Sequence, residues 1–216
     1  MTKIRLCFSK SGSLRFIGHL DFLKVFQQTI RRAKLPIAYS QGFNPHMQLS
    51  FALPLPLGMT SNNDYADIVL EQELSTEEII SRLNSNIPEG LYIKTAIPFE
   101  GSGAASLVSV ADYQLITEIN PETIQPLLSQ EAIVIPKKTK SGIKDTDIRL
   151  DIFNIYENES GVMLRLAAGS GRFLNPLIVA KLLTGQETST SSIIRHDLYR
   201  QDKEKGLISL NETLIS

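Results

Sequence analysis

Hydrophobic residues in the first hundred positions change period in a fixed order, from two to about 3.6 and back, and that order admits few folds. Lys3-Ile-Arg-Leu-Cys-Phe-Ser9 alternates and reads as a strand with Ile4, Leu6 and Phe8 on its apolar face. Residues 19–33 follow the helical period, with Leu20, Leu23, Phe26, Ile30 and Ala33 on one stripe and Lys24, Gln27, Gln28, Arg31 and Arg32 away from it. Pro36 ends that helix, and residues 37–40, 49–53 and 65–70 are extended segments. Ser75-Thr-Glu-Glu78 is a capping box that opens a second helix with Ile79, Leu83 and Ile87 inward, after which residues 91–97 return as a strand. The order β-α-β-β-α-β is that of the split βαβ, or ferredoxin-like, sandwich.

The stretch Glu100-Gly-Ser-Gly-Ala-Ala-Ser106 is small and flexible in composition, and it predicts a boundary between a domain over residues 1–100 and a second over 107–216. Past it, residues 113–119 read as a strand and Asn120-Pro121 opens a short helix running to Leu128. Residues 133–137, 147–155 and 162–167 are strand candidates, and the middle one also admits a helix. Asn175-Pro176 starts a helix that Gly185 stops, and residues 193–199 form a last strand. The fold expected is α+β, with two ferredoxin-like (β-α-β-β-α-β) halves in tandem.

Charge is distributed unevenly along this chain of 216 residues, although its net value is −1. The first sixty residues hold eight Lys and Arg (Lys3, Arg5, Lys10, Arg15, Lys24, Arg31, Arg32, Lys34) against Asp21 alone, whereas residues 61–131 hold twelve acids against Arg82 and Lys94. Such asymmetry reports either an anionic partner or an internal interface between opposite charges. No apolar run approaches the roughly 18 residues that span a bilayer, so no membrane partner is expected. The N-terminus lacks a continuous apolar signal region, which predicts a cytoplasmic protein. Cys7 is the one cysteine, which excludes an internal disulfide and a thiolate metal cluster; its expected role is a small apolar side chain in the first strand.

Two polar stretches stand out, Ser9-Lys-Ser-Gly-Ser-Leu-Arg-Phe-Ile-Gly-His-Leu-Asp21 and Tyr39-Ser-Gln-Gly-Phe-Asn-Pro-His46. With residues 37–40 as the second strand of a split βαβ, the turns leaving the first two strands emerge at one end of the sheet. His19, Asp21 and His46 are then the candidate acid–base residues. Lys10, Arg15, Gln41 and Asn44 surround them as candidate substrate contacts, and Lys24, Arg31 and Arg32 on the first helix extend a basic surface. The loop Ser9-Lys-Ser-Gly-Ser13 offers backbone amides to phosphate but lacks Walker spacing. His19 and Asp21, two apart, do not share a helix face, so no metal and no cofactor are assigned. The run from Lys137 to Lys144 reads as a basic hairpin turn. Leu53-Pro-Leu-Pro-Leu57 suits a sheet-edge crossover, core packing or a docking patch.

Leu14-Arg-Phe-Ile-Gly-His-Leu-Asp21, Arg31-Arg-Ala33, the Tyr39–His46 stretch and Leu49-Ser-Phe-Ala-Leu-Pro-Leu-Pro-Leu-Gly58 together resemble the bacterial radical SAM-linked, or radical SAM-associated, protein family, a domain of unknown function. The likeness is strong over roughly residues 3–100 and looser beyond, where Lys137–Gly142 through Asp147-Ile148 and Gly169-Ser-Gly171 are the similar parts. Gly18 stands where that family tends to have serine, and Met47 where proline is frequent. The resemblance implies a radical SAM protein as partner. A single cysteine cannot supply the three-cysteine iron–sulfur site of such an enzyme, so the chain is expected to be an accessory that binds or presents an anionic substrate such as RNA. Two alternatives stay open: a metal-independent or metal-dependent enzyme using His19 or His46, for example in RNA processing, and a protein–protein adaptor.

Overall fold

A computed structural model describes residues 1–139, 142–159 and 161–212, apart from the side chains of Lys138 and Thr139. The fold is mixed α+β and mostly sheet. The alternation at the N-terminus becomes β1 (Thr2–Lys10), followed by a 3-10 turn over Gly12–Phe16 and then α1 (His19–Arg32). Next come β2 (Leu49–Phe51), β3 (Thr60–Leu70), α2 (Thr76–Asn84) and β4 (Leu91–Pro98). β1 lies antiparallel between β3 and β4, and β2 runs antiparallel along the other side of β3.

The inward face of β1 is the expected one: Ile4, Leu6 and Phe8 are buried with Phe22, Phe26, Ile30, Ile79 and Leu83 of the two helices. Phe8, Phe22, Phe26 and Phe51 form one aromatic cluster, with centroid separations from 5.1 to 5.9 Å. The helix phase differs from the one expected at its first turn. Leu20 is 70% exposed and Phe22 takes the buried place, because the larger ring completes the cluster around Phe8. Of the capping box, one half forms: Ser75 Oγ accepts from the Glu78 amide at 3.1 Å, while the Glu78 carboxylate turns to Arg82 at 2.5 Å.

Residues 37–40 do not form a sheet strand. Ile37 and Tyr39 make isolated bridges to Leu70 and Met47, and the Ala38 amide donates to the Val69 carbonyl before the chain leaves the sheet. β2 is the edge partner of β3 instead, with Leu49 opposite Ile68 and Phe51 opposite Ala66.

The small-residue stretch after β4 carries α3 (Ala104–Leu107) and is tied to the sheet: the Ala104 amide donates to Asp67 Oδ2, and Lys3 Nζ to the Gly101 carbonyl at 3.0 Å. β5 (Val110–Leu115), α4 (Ile124–Leu128), the hairpin β6 (Val134–Thr139) and β7 (Gly142–Asp147), β8 (Ile152–Asn158), β9 (Gly161–Ala167), α5 (Pro176–Thr184), β10 (Ile193–Asp202) and β11 (Gly206–Ser209) follow. Asn120 and Asn175 cap as their Asn-Pro pairs predict, and Gly185 ends α5 at φ 71°. β11 has no counterpart in the sequence reading. Part of the basic run from Lys137, namely Lys140 and Ser141, lies outside the described residues.

One sheet of nine strands runs through both halves in the order β4-β1-β3-β10-β5-β9-β8, with β2 and β11 beside it. The join is a short parallel pairing of β10 with β3, Ile194 opposite Thr60 and Arg195 opposite Ser61. A second core lies mainly under β5, β9 and β10, and it includes Cys7 and Tyr65 from the first half.

Candidate functional site

The placement of β2 decides which polar groups meet. β1 and β2 are parallel, so the turn leaving β2 shares an end of the sheet with Lys10 and His19, while the loop entering β2 emerges at the opposite end, beside Lys3. Residues 41–46 enter β2 rather than leave it. His19 and His46 therefore line separate cavities, and the convergence expected of them does not occur.

At the first end His19 opens α1 and its ring meets Phe51 edge-on, centroids 5.6 Å apart. Behind it a cavity of about 10 Å³, room for roughly one water, is lined by Lys10, His19, Phe22 and Asp64 among others. Lys10 is 2% exposed, so its ammonium does not face solvent. It stands 4.5 Å over the Phe22 ring and donates to the Ile17 carbonyl at 3.4 Å. Burial lowers its pKa, and the Asp64 carboxylate opposes that shift.

Asp64 is held chiefly by Arg195 of β10. One guanidinium nitrogen donates to both carboxylate oxygens, at 2.6 and 2.7 Å, and to the Leu53 carbonyl at 2.9 Å; the other reaches the Pro54 carbonyl at 3.2 Å. Arg195 is fully buried, and its planar fork suits this many-sided role better than a lysine would. It fixes the Leu53–Pro54 segment at the cavity. Nothing in the alternating sequence around Arg195 distinguishes it from an exposed strand arginine, so sequence reasoning missed it.

Arg15 is half-buried with its guanidinium 4.7 Å over Phe16, and its carbonyl accepts from the Gly58 amide at 2.7 Å. Asp21 is exposed and paired with Lys24 at 3.0 Å. The Phe16, Leu20 and Leu57 side chains are exposed around this end.

At the second end, a cleft of about 350 Å³ lies beside β2. Met47, Leu49, Val69 and Phe99 give it apolar walls, and Lys3, His46, Gln48, Ser50 and Asp67 give it polar groups. The His46 backbone is clamped on both sides: its amide donates to Ser40 Oγ at 3.0 Å and its carbonyl accepts from the Ser40 amide at 2.8 Å. Asp67 accepts from Arg5 Nε at 2.9 Å and Nη2 at 3.2 Å as well as from Ala104. Gln41, Phe43 and Asn44 are exposed on the loop above.

α1 runs back from the His19 end, and its C-terminus delivers Arg31, Arg32 and Lys34 to the same end as this cleft, where the Pro36 carbonyl accepts from the Glu71 amide just past β3. These three side chains are exposed, and they form no ion pair with any acid among the described residues. Four acids of the middle of the chain are ion-paired elsewhere: Asp67 to Arg5, Asp64 to Arg195, Asp112 to Arg165 and Glu78 to Arg82. Among the described residues, Arg5 and Lys24 alone of the eight N-terminal cations are ion-paired.

His196, which the sequence did not single out, is bound on the sheet to Gln114 at 2.7 Å and Asn62 at 3.3 Å. Among the described residues no group of three or more His, Cys, Asp or Glu is placed to hold a metal ion, and no helix is long and apolar enough to cross a membrane.

A family model described as "Uncharacterized protein conserved in bacteria (DUF2344)" matches residues 3–176. No curated protein matches the chain.

Proposed function

The chain belongs to the bacterial DUF2344 family, and from its geometry we propose that it is an accessory subunit that binds RNA and presents it to a radical SAM partner. The observation that carries this reading is the cluster of exposed cations at the end of α1, none of them ion-paired among the described residues. Arg31, Arg32 and Lys34 stay exposed and without an ion pair among the described residues although acids are abundant in the chain, a pattern that supports a polyanion site. Exposed Tyr39 and Phe43 on the neighbouring loop add aromatic surface for unstacked bases. The partner follows from the resemblance of Leu14–Asp21 and Tyr39–Gly58 to the radical SAM-linked family. In the same reading the two halves are ferredoxin-like, β1-α1-β2-β3-α2-β4 and β5-α4-β8-β9-α5-β10, with the β6–β7 hairpin inserted in the second.

Equilibrium binding of a single-stranded RNA over a range of salt concentrations tests the proposal. The wild type is expected to lose affinity steeply with salt, and Arg31→Ala/Arg32→Ala to reduce the log–log slope by about 1.4, or roughly 0.7 for each lost phosphate contact. Binding that ignores salt, or a slope unchanged by the double substitution, contradicts it.

The adaptor alternative draws on a different observation, exposed Phe16, Leu20 and Leu57 around the His19 end. It predicts that Leu20→Asp abolishes partner capture while RNA affinity is retained.

A further inference from the structure

The cleft beside β2 is not used by the basic surface of α1, and its chemistry is narrower. Its volume, about 350 Å³, falls in the range of small-molecule sites. Its walls are largely apolar, with Lys3 and His46 among the polar groups of its lining. The single carboxylate in its lining, Asp67, has both oxygens occupied by Arg5 and the Ala104 amide. Lys3 has no acidic partner among the described residues, and with one N–H spent on the Gly101 carbonyl its ammonium retains two further donors. Both cations also approach Phe99, Arg5 at 4.5 Å and Lys3 at 5.9 Å from the ring centre. The His46 backbone is fixed by Ser40, and its imidazole takes no hydrogen-bond partner among the described residues. A cation would meet excess positive charge here, and a purely apolar ligand would leave Lys3 and His46 unused.

We propose that this cleft is a nucleoside-phosphate site, in which Phe99, Val69 and Met47 enclose the planar base while Lys3 and His46 take the phosphate. The site deepens the RNA reading and rests on it only for the identity of the ligand's source, a free nucleotide or the end of a bound strand.

Titration calorimetry of the full chain with AMP, and with a short RNA carrying a terminal phosphate, is the test. AMP is expected to bind, with adenosine and inorganic phosphate each at least about tenfold weaker. Lys3→Met and Phe99→Leu, both at partly exposed positions, are each expected to weaken AMP at least about tenfold. Arg31→Ala/Arg32→Ala is expected to leave AMP binding unchanged. Equal affinity for AMP and the RNA end assigns the site to free nucleotide, and tighter binding of the RNA end assigns it to a strand terminus. Failure of both ligands to bind the wild type overturns the proposal, as does AMP affinity that Lys3→Met and Phe99→Leu leave unaltered. Salt-steep RNA binding that Lys3→Met and Phe99→Leu leave unaltered, without AMP binding, would sink the cleft alone, whereas AMP binding without RNA binding would sink the basic surface alone.

Discussion

Taking the guanidinium from Arg195 would strand Asp64, which is 4% exposed and has no other ion-pair partner among the described residues. Arg195→Met is therefore expected to cost about 3–5 kcal/mol in urea unfolding, the usual penalty for breaking a buried pair from one side. Adding Asp64→Asn should recover part of that loss, because the stranded charge is gone. Cys7 makes a prediction in pH. It is 1% exposed, and burial pushes its thiol from 9.0 up to about 12, with the Asp197 carboxylate adding to the shift. Above pH 9.0 the unfolded chain loses this proton and the folded chain keeps it, so the thiol's contribution is intact below 9.0 and is lost as pH rises toward about 12. Compared with Cys7→Ala, the wild type should lose about 1.4 kcal/mol per pH unit across that window. A parallel pair of stability curves would show the thiol to be solvated.

Among the elements, the turn before β3 is tightly constrained. Gly58 has φ 89°, and a Cβ there would lie 2.3 Å from Thr190 Oγ1. Gly58→Ala should therefore lower the unfolding midpoint by the equivalent of about 1–3 kcal/mol. Thr190→Ala in the same chain should restore only part, since removing the clash leaves the backbone strained. The second strand shows where sequence reasoning reached its limit. Residues 37–40 and 49–53 both read as extended, and pattern alone cannot say which pairs with β3. The edge of β3 takes one rung from Ala38 and then Leu49–Phe51, because Tyr39 bridges to Met47 and closes the intervening loop on itself. That three-dimensional choice sends His46 away from His19. Periodicity and caps, by contrast, are local: Ile4, Leu6 and Phe8, the Ser75 cap and both Asn-Pro helix starts were legible. Leu20 and Phe22 were misordered because a stripe from periodicity carries no information about which ring fills the space beside Phe8. Arg195 and Asp64, 131 residues apart, meet only through β10 joining β3.

For the whole molecule, that join predicts that the two halves unfold as one unit. Arg195 bonds from the second half to Asp64, Leu53 and Pro54 of the first, and Tyr65 with Asp197 and Thr95 with Asn211 cross in the same way. Unfolding followed by far-ultraviolet dichroism and by hydrogen exchange of β1 and β9 should give coincident transitions; separate midpoints would mean independent halves. The same joined sheet pairs Asp64, Asp67 and Asp112 with internal arginines, while Arg31, Arg32 and Lys34 make no ion pair among the described residues at the end that also carries the cleft. The claim that this end, and not the His19 end, receives RNA is tested most directly by photo-crosslinking thiouridine-substituted RNA to the full chain and mapping the linked peptides by mass spectrometry. Crosslinks within residues 31–50 and 98–104 are the predicted result. Crosslinks confined to residues 9–22 would contradict it.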